Sequence, residues 1–187
     1  MAATPAEDAW RVLGSRPLYE SRWVTLSLTE VELPSGQHFE HHTVRMPVAA
    51  VAVVLDDAGE HVLLSWRHRF VPGIWNYELP GGLVEDGEDP AATIEREVLE
   101  ETGYRVRDLT EAVSFEPMIG MVTSPHHVFI AHAEGQVAQP VERDEGRFGW
   151  IPVAAVPALI ADGKIRNSGT LVGLLHLLAS DRLEGGA

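Results

Sequence analysis

Apolar and polar residues alternate over the first quarter of the chain and then give way to near-continuous apolar runs. Residues 1 to about 12 show no periodicity and are expected to form a loose tail. Trp23 to Leu33 and His38 to Arg45 alternate around Pro34-Ser35-Gly36, the pattern of two strands joined by turn-forming residues. Val48 to Leu55 is almost wholly apolar and predicts a strand covered on both faces. Asp56-Asp57-Ala58-Gly59 then turns the chain into a second strand, His61 to Trp66. Trp75 to Leu79 predicts a short strand stopped by Pro80-Gly81-Gly82. A helix should follow: Asp89 suits the N-cap, Pro90 needs no donor as first helical residue, and Gly103 suits the C-terminal stop. Beyond it, Tyr104 to Phe115 and His127 to Ala133 read as strands and Val153 to Ala161 as a short helix. Thr170 to Ser180 reads as a closing helix, its leucines suited to core or dimer packing. The interspersed order predicts an α/β fold with a mixed sheet, without repeats.

Composition narrows the chemistry. The 187 residues suffice for one proper core, and 45% hydrophobic with 22% charged residues is ordinary for a folded protein. There is no cysteine, which excludes thiolate catalysis and leaves only oxygen and nitrogen ligands for a metal. The net charge of −14, from 28 acidic and 14 basic residues, opposes nucleic-acid binding. No apolar run is long enough for a membrane span, and the first residues lack a signal-peptide pattern, so a cytoplasmic location is expected.

Part of the acidity is concentrated between Gly82 and Tyr104, where Glu88, Glu97, Glu100 and Glu101 surround Arg96. On a helix, Glu97 and Glu101 are one turn apart with Glu100 on their flank, while Ala91, Ile94, Val98 and Leu99 point to roughly the opposite side. The expected helix therefore buries its apolar side and presents three carboxylates outward. Such carboxylates repel unless a cation relieves them, and a hard divalent cation does so well. Ions held this way can bind an attacking water and bridging phosphate oxygens, which points to phosphoanhydride hydrolysis. Arg96 can hold Glu88 of the preceding loop through a bidentate guanidinium contact.

The spacing from Gly82 through Glu88 and Arg96-Glu97 to Glu100-Glu101 and Gly103 resembles the complete motif of the Nudix hydrolase family. That resemblance implies an α/β/α sandwich in which Glu97, Glu100, Glu101 and the Gly81 carbonyl hold Mg²⁺, or alternatively Mn²⁺. Val62 to Arg69 and Trp75 to Gly82 are similar to the ADP-ribose pyrophosphatase branch. That branch has an N-terminal antiparallel β module that helps form a homodimer and completes the nucleotide pocket. The implied division is residues 1–46 as this module and residues 47–187 as the hydrolase domain. The implied reaction is conversion of ADP-ribose to AMP and ribose 5-phosphate.

Within that reading, Arg69 is expected at the pyrophosphate and Glu78 at a further metal ion or a ribose hydroxyl. The loop from Pro117 through Gly120 is expected to touch substrate, although Met118, Ile119 and Met121 depart from the smaller, polar residues common there. Glu145, in preference to Asp144, is expected to take the proton of the attacking water, with Glu100 or Glu101 as alternatives. Trp10, Trp23 and Trp75 offer faces for a nucleobase, though packing is the plainer role for each. The pairs His41-His42 and His126-His127 lie in strands, where neighbours point to opposite faces, so they read as structural. The alternatives are a Nudix hydrolase of a nucleotide sugar, a dinucleoside polyphosphate or an oxidised nucleotide, and a nucleotide sensor without turnover.

Overall fold

The computed structural model describes residues 9–141 and 146–184. They divide into two units, one running up to Pro47 and including Glu116–Ser124, the other formed by Val48–Phe115 and the chain from Pro125 onward.

In the first unit the alternating segments become β2 (Thr25–Glu32) and β3 (His38–Arg45), joined through the turn at Gly36. Residues 1–8 of the expected tail lie outside the described residues, and its last two, Arg11 and Val12, open a ten-residue strand that the sequence did not announce, β1 (Arg11–Glu20), paired antiparallel to β2. Its periodicity is hidden because the register shifts between Val12 and Gly14 and between Pro17 and Tyr19. The sheet is also not wholly antiparallel: β9, Val122–Thr123, adds to β3 in parallel. A ladder of hydroxyls crosses three strands, from Ser15 to Thr29 and from Thr29 to Thr43, at 2.9 Å each.

The second unit is built on β4 (Ala49–Leu55), whose neighbours are β5 (His61–Arg69) and β10 (His126–Gln136). The sheet continues to β8 (Tyr104–Phe115) beyond β10 and to β11 (Arg147–Pro152) beyond β5. Two short strands, β6 (Ile74–Glu78) and β7 (Gly81–Leu83), pair with β5 and β4 respectively. Among the described residues, only β4 and β10 run parallel in this sheet; its other pairings are antiparallel.

Alternation along β4 feeds two cores. Ala50, Ala52 and Val54 pack with Leu63 and with Ile94 and Val98 of helix α1, Pro90–Thr102. Val53 and Leu55 pack with Val62, Leu64 and the helices α2 (Val156–Ala161) and α3 (Ser168–Glu184). The sheet is thus covered by helix on both faces, which is why the β4 run is apolar throughout. Complete burial of Ile94 and Val98 contributes about 1.5–3 kcal/mol each to docking α1. A 3-10 turn at Val153–Ala155 precedes α2, and Leu174 and Leu177 seat α3. Among the described residues, no helix is long and apolar enough to cross a membrane.

Candidate active site

Helix α1 begins and ends as its residue types dictate. The Asp89 carboxylate accepts from the Ala91 N–H at 2.8 Å, and Gly103, at φ 76°, donates its N–H to the Leu99 carbonyl. A side chain at Gly103 would run into the Ala138 carbonyl, so both backbone angle and space require glycine.

One expectation for this helix is corrected. Glu101 does not face outward: it is buried, as are Thr93 and Thr102, whereas Leu99 is only partly covered. The cause is that α1 packs on β7 as well as on β4, β8 and β10, so its covered surface is wider than one apolar stripe. Glu101 Oε2 accepts the Gly81 N–H at 2.9 Å, and Oε1 lies 3.3 Å from Arg67 Nη1. Two donors thereby meet a charge that burial alone would make costly.

Glu97 points at the same strand. A methyl group on Gly82 would fall 2.5 Å from the Glu97 Cδ and 3.0 Å from its Oε2. Gly81 has φ 148°, and a Cβ there would approach the Val51 Cα to 2.7 Å. The two glycines therefore bring bare backbone against β4 on one side and against the helix carboxylates on the other.

Arg96 organises the remaining acids. Its Nε and Nη2 each donate to one oxygen of Glu88 at 3.1 Å, and Nη1 reaches Glu97 at 2.7 Å and Glu100 at 3.4 Å. Arg96, the Thr93 hydroxyl at 2.7 Å and the Glu85 N–H hold the Glu88 carboxyl down at about 2. Glu88 first, and then Glu97, raise the Arg96 pKa above its usual range. Glu100 is the most exposed of the three metal-candidate glutamates.

These residues fit a hard divalent cation. The donors are oxygens only, and glycine keeps open the crevice into which Glu97 and Glu101 are directed. Among the described residues, no three acidic or histidine side chains stand close enough to enclose an ion unaided. Mg²⁺ ordinarily retains several waters and takes substrate phosphate oxygens, so complete enclosure is not required.

A cavity of 1410 Å³ lies beside this crevice, and β5 and β6 supply much of its wall. Arg69 and Glu78, expected separately at pyrophosphate and metal or ribose, face one another here: Nε is 3.0 Å from both carboxylate oxygens and Nη2 is 2.5 Å from Oε2. Glu78 is buried and also accepts from the Asn76 amide at 3.1 Å. Arg67, not singled out by sequence, is two residues from Arg69 and so on the same strand face; that spacing was the available signal. Also unread was Thr170, whose hydroxyl accepts the Leu79 N–H at 3.0 Å.

The other candidates take simpler places. Trp75 stacks on Trp66 at 6.2 Å with 19° between planes, Trp10 packs edge-on against Phe39, and Trp23 lies under the Arg22 guanidinium. His127 meets Glu111 at 2.7 Å, His126 packs on Phe115, and His41 is 2.9 Å from the Gly120 carbonyl. Gly120 belongs to the first unit, in the exposed turn of Met118, Ile119 and Met121. Glu145 and Asp144 lie outside the described residues.

A mixed sheet between helices thus sets a capped acidic helix against a diglycine strand, an oxygen-only donor set suited to a divalent cation and its phosphate ligands. The NUDIX domain family matches residues 45–170, and the nucleoside diphosphate sugar hydrolase N-terminal domain matches residues 10–47. The chain belongs to the Nudix family and is a pyrophosphohydrolase. It is 45% identical over 170 residues to a CMP-5'-(N-acetyl-N-hydroxy-3-aminopropyl)phosphonate hydrolase of Streptomyces rubellomurinus, covering 90% of this chain and 82% of that protein. It is 29% identical over 139 residues to an ADP-ribose pyrophosphatase of Bacillus subtilis, covering 74% of each. The crystal structure of an ADP compounds hydrolase superposes with a TM-score of 0.80 over 95% of this chain and 97% of that one. At 17% identity, that likeness speaks for the fold alone.

Proposed function

We propose that this chain hydrolyses, with Mg²⁺, the phosphoanhydride of a nucleoside monophosphate joined to a second phosphorylated group, with ADP-ribose as the leading substrate. The observation that carries the reading is the convergence of Glu97 and Glu101 on the Gly81–Gly82 backbone. The similarity to a B. subtilis ADP-ribose pyrophosphatase supports the choice of substrate.

Glu97, Glu101 and the Gly81 carbonyl would hold the cation, with Glu100 beside them; Mn²⁺ is the alternative ion. Bound there, it would neutralise phosphate charge and polarise water. Arg96 holds Glu97 and Glu100 in place through one guanidinium, and Glu88 anchors Arg96. Water attacks one phosphorus, the bridging P–O bond breaks, and ADP-ribose gives AMP and ribose 5-phosphate. We assign acceptance of the water proton to Glu145. Glu100 is the second choice, because Glu101 already accepts from two donors. Arg69 and Glu78 act as a pair on the cavity wall, and Gly120 is assigned to the substrate loop.

A second reading is favoured by the 45% identical relative: the group joined to the nucleotide is a phosphonate, and the nucleotide is CMP. A direct comparison decides. ADP-ribose, a CMP-linked phosphonate, nucleotide sugars and dinucleoside polyphosphates are incubated with the chain and Mg²⁺, and monophosphate release is followed by chromatography. The leading reading expects ADP-ribose to give the highest kcat/KM. Preference for the CMP compound selects the second reading, and absence of turnover across the panel, with either ion, contradicts both.

We also assign homodimer formation to the first unit, in which β1 exposes Val12, Leu13, Leu18 and Tyr19. Light scattering should give twice the 20.5 kDa chain mass, and a monomer at micromolar concentration would refute it.

A further inference from the structure

Two arginines serve the glutamates of α1, and they differ in burial. Arg96 contacts Glu97 and Glu100 near the surface, with 32% of its side chain exposed. Arg67 meets Glu101 with only 9% and 5% of the two side chains exposed. Water and salt screen the first pairing far more than the second, so Arg67 acts on the Glu101 carboxylate across 3.3 Å with little attenuation.

The fold fixes both partners. Arg67 stands opposite Asn76 in the pairing of β5 with β6. Ahead of β11, a Cβ at Gly146 would come within 2.9 Å of the Arg67 Cβ and 2.3 Å of the Ser65 Oγ. Bare backbone at Gly146 therefore lies against the stem of the arginine, and its guanidinium end reaches a helix residue 34 positions away in sequence. Glu101 is tethered on its other oxygen by the Gly81 N–H at 2.9 Å. A cation that binds Glu101 must therefore share this carboxylate with a positive charge already in place, and like charges on one carboxylate oppose each other.

Resting on the assignment of Glu101 as a cation ligand in the reading above, we propose that Arg67 is the resident counter-ion of Glu101: it neutralises the buried carboxylate in the ion-free chain, competes with the incoming divalent cation for it, and so sets the affinity of the site. Arg67 is thus a positioning residue that acts through Glu101. Its signature is one of sign. A residue that merely supports the shape of the site weakens cation binding when it is replaced, whereas a competitor strengthens it.

The probe is Mn²⁺ alone, titrated into the intact chain by electron paramagnetic resonance without substrate, beside thermal unfolding with and without the ion. Arg67→Gln should bind Mn²⁺ about tenfold or more tightly than the unaltered chain, because the charge it removes is weakly screened. Arg67→Lys restores a cation and should return the affinity toward the unaltered value. Without the ion, Arg67→Gln should unfold at a lower temperature, and Mn²⁺ should raise its Tm by more than it raises that of the unaltered chain, since the ion takes over the counter-charge. Arg107→Gln removes the same charge at a residue paired with Asp57 and Asp108, away from Glu101, and should leave Mn²⁺ affinity unchanged. Mn²⁺ binding in Arg67→Gln that equals or falls below that of the unaltered chain would overturn the proposal. If Arg67→Gln is unfolded without the ion, Mn²⁺ must restore its native circular dichroism, and failure to do so overturns the proposal as well. Glu101→Gln, titrated in parallel, separates the two levels. Unchanged Mn²⁺ affinity there removes Glu101 from the cation site, and the functional reading falls together with the proposal. Weakened affinity there, without a gain in Arg67→Gln, sinks the proposal alone.

Discussion

Among single residues, Glu88 has the clearest measurable signature. Arg96, Thr93 and the Glu85 N–H depress its carboxyl to about 2, against roughly 4.3 in an unfolded chain. A depressed carboxylate contributes stability that is complete above its unfolded pKa and lost as pH falls through its folded one. The window therefore runs from about pH 4.3 down to about 2. In thermal unfolding followed across that range, Glu88→Gln should show a shallower fall in Tm than the unaltered chain. Parallel curves would mean that the clamp adds nothing to stability. The pairing of Arg96 with Glu88 was legible because eight residues and a helix start separate them. Contact between Glu101 and Arg67 was not, because they are 34 residues apart and meet only once α1 docks against the sheet.

Elements were legible where local chemistry and burial agree. Asp89-Pro90 and Gly103 mark α1 because caps act within one turn, and Tyr104–Phe115 emerges as β8 with the expected bounds. β1 escaped notice because Gly14 and Pro17 lie where its register shifts, and β7 because three residues carry no periodicity. The exposed face expected for Glu101 failed because a helical pattern identifies one covered stripe, whereas α1 packs on β7 as well as on β4, β8 and β10. At this scale α3 also supports the site. The Leu79 N–H donates to the buried Thr170 hydroxyl, which is 3.3 Å from the Asn167 Oδ1, tying the Glu78–Gly81 stretch to the start of the helix. Thr170→Val keeps the shape and leaves that N–H without its partner, at a cost of about 1–3 kcal/mol. It should lower Tm and reduce kcat together, with Thr170→Ser close to the unaltered chain. A Thr170→Val chain with both quantities unchanged would remove the tie from the account.

For the molecule as a whole, the β4 run announced a sheet covered on both faces, and the acidic segment announced its chemistry. The cavity was illegible, since Arg166 and Arg69 are brought to one wall by folding alone. The central claim is that the carboxylates of α1 are needed for turnover and not merely solvated. It is tested most directly by single-turnover hydrolysis with Glu101→Gln, beside circular dichroism and Mn²⁺ titration by electron paramagnetic resonance. Glutamine retains the volume and can still accept the Gly81 N–H, so the fold should persist. The account predicts weakened Mn²⁺ binding and a rate lower by about a thousandfold, a loss of roughly 4 kcal/mol in transition-state stabilisation. Unchanged hydrolysis with native Mn²⁺ affinity would contradict it.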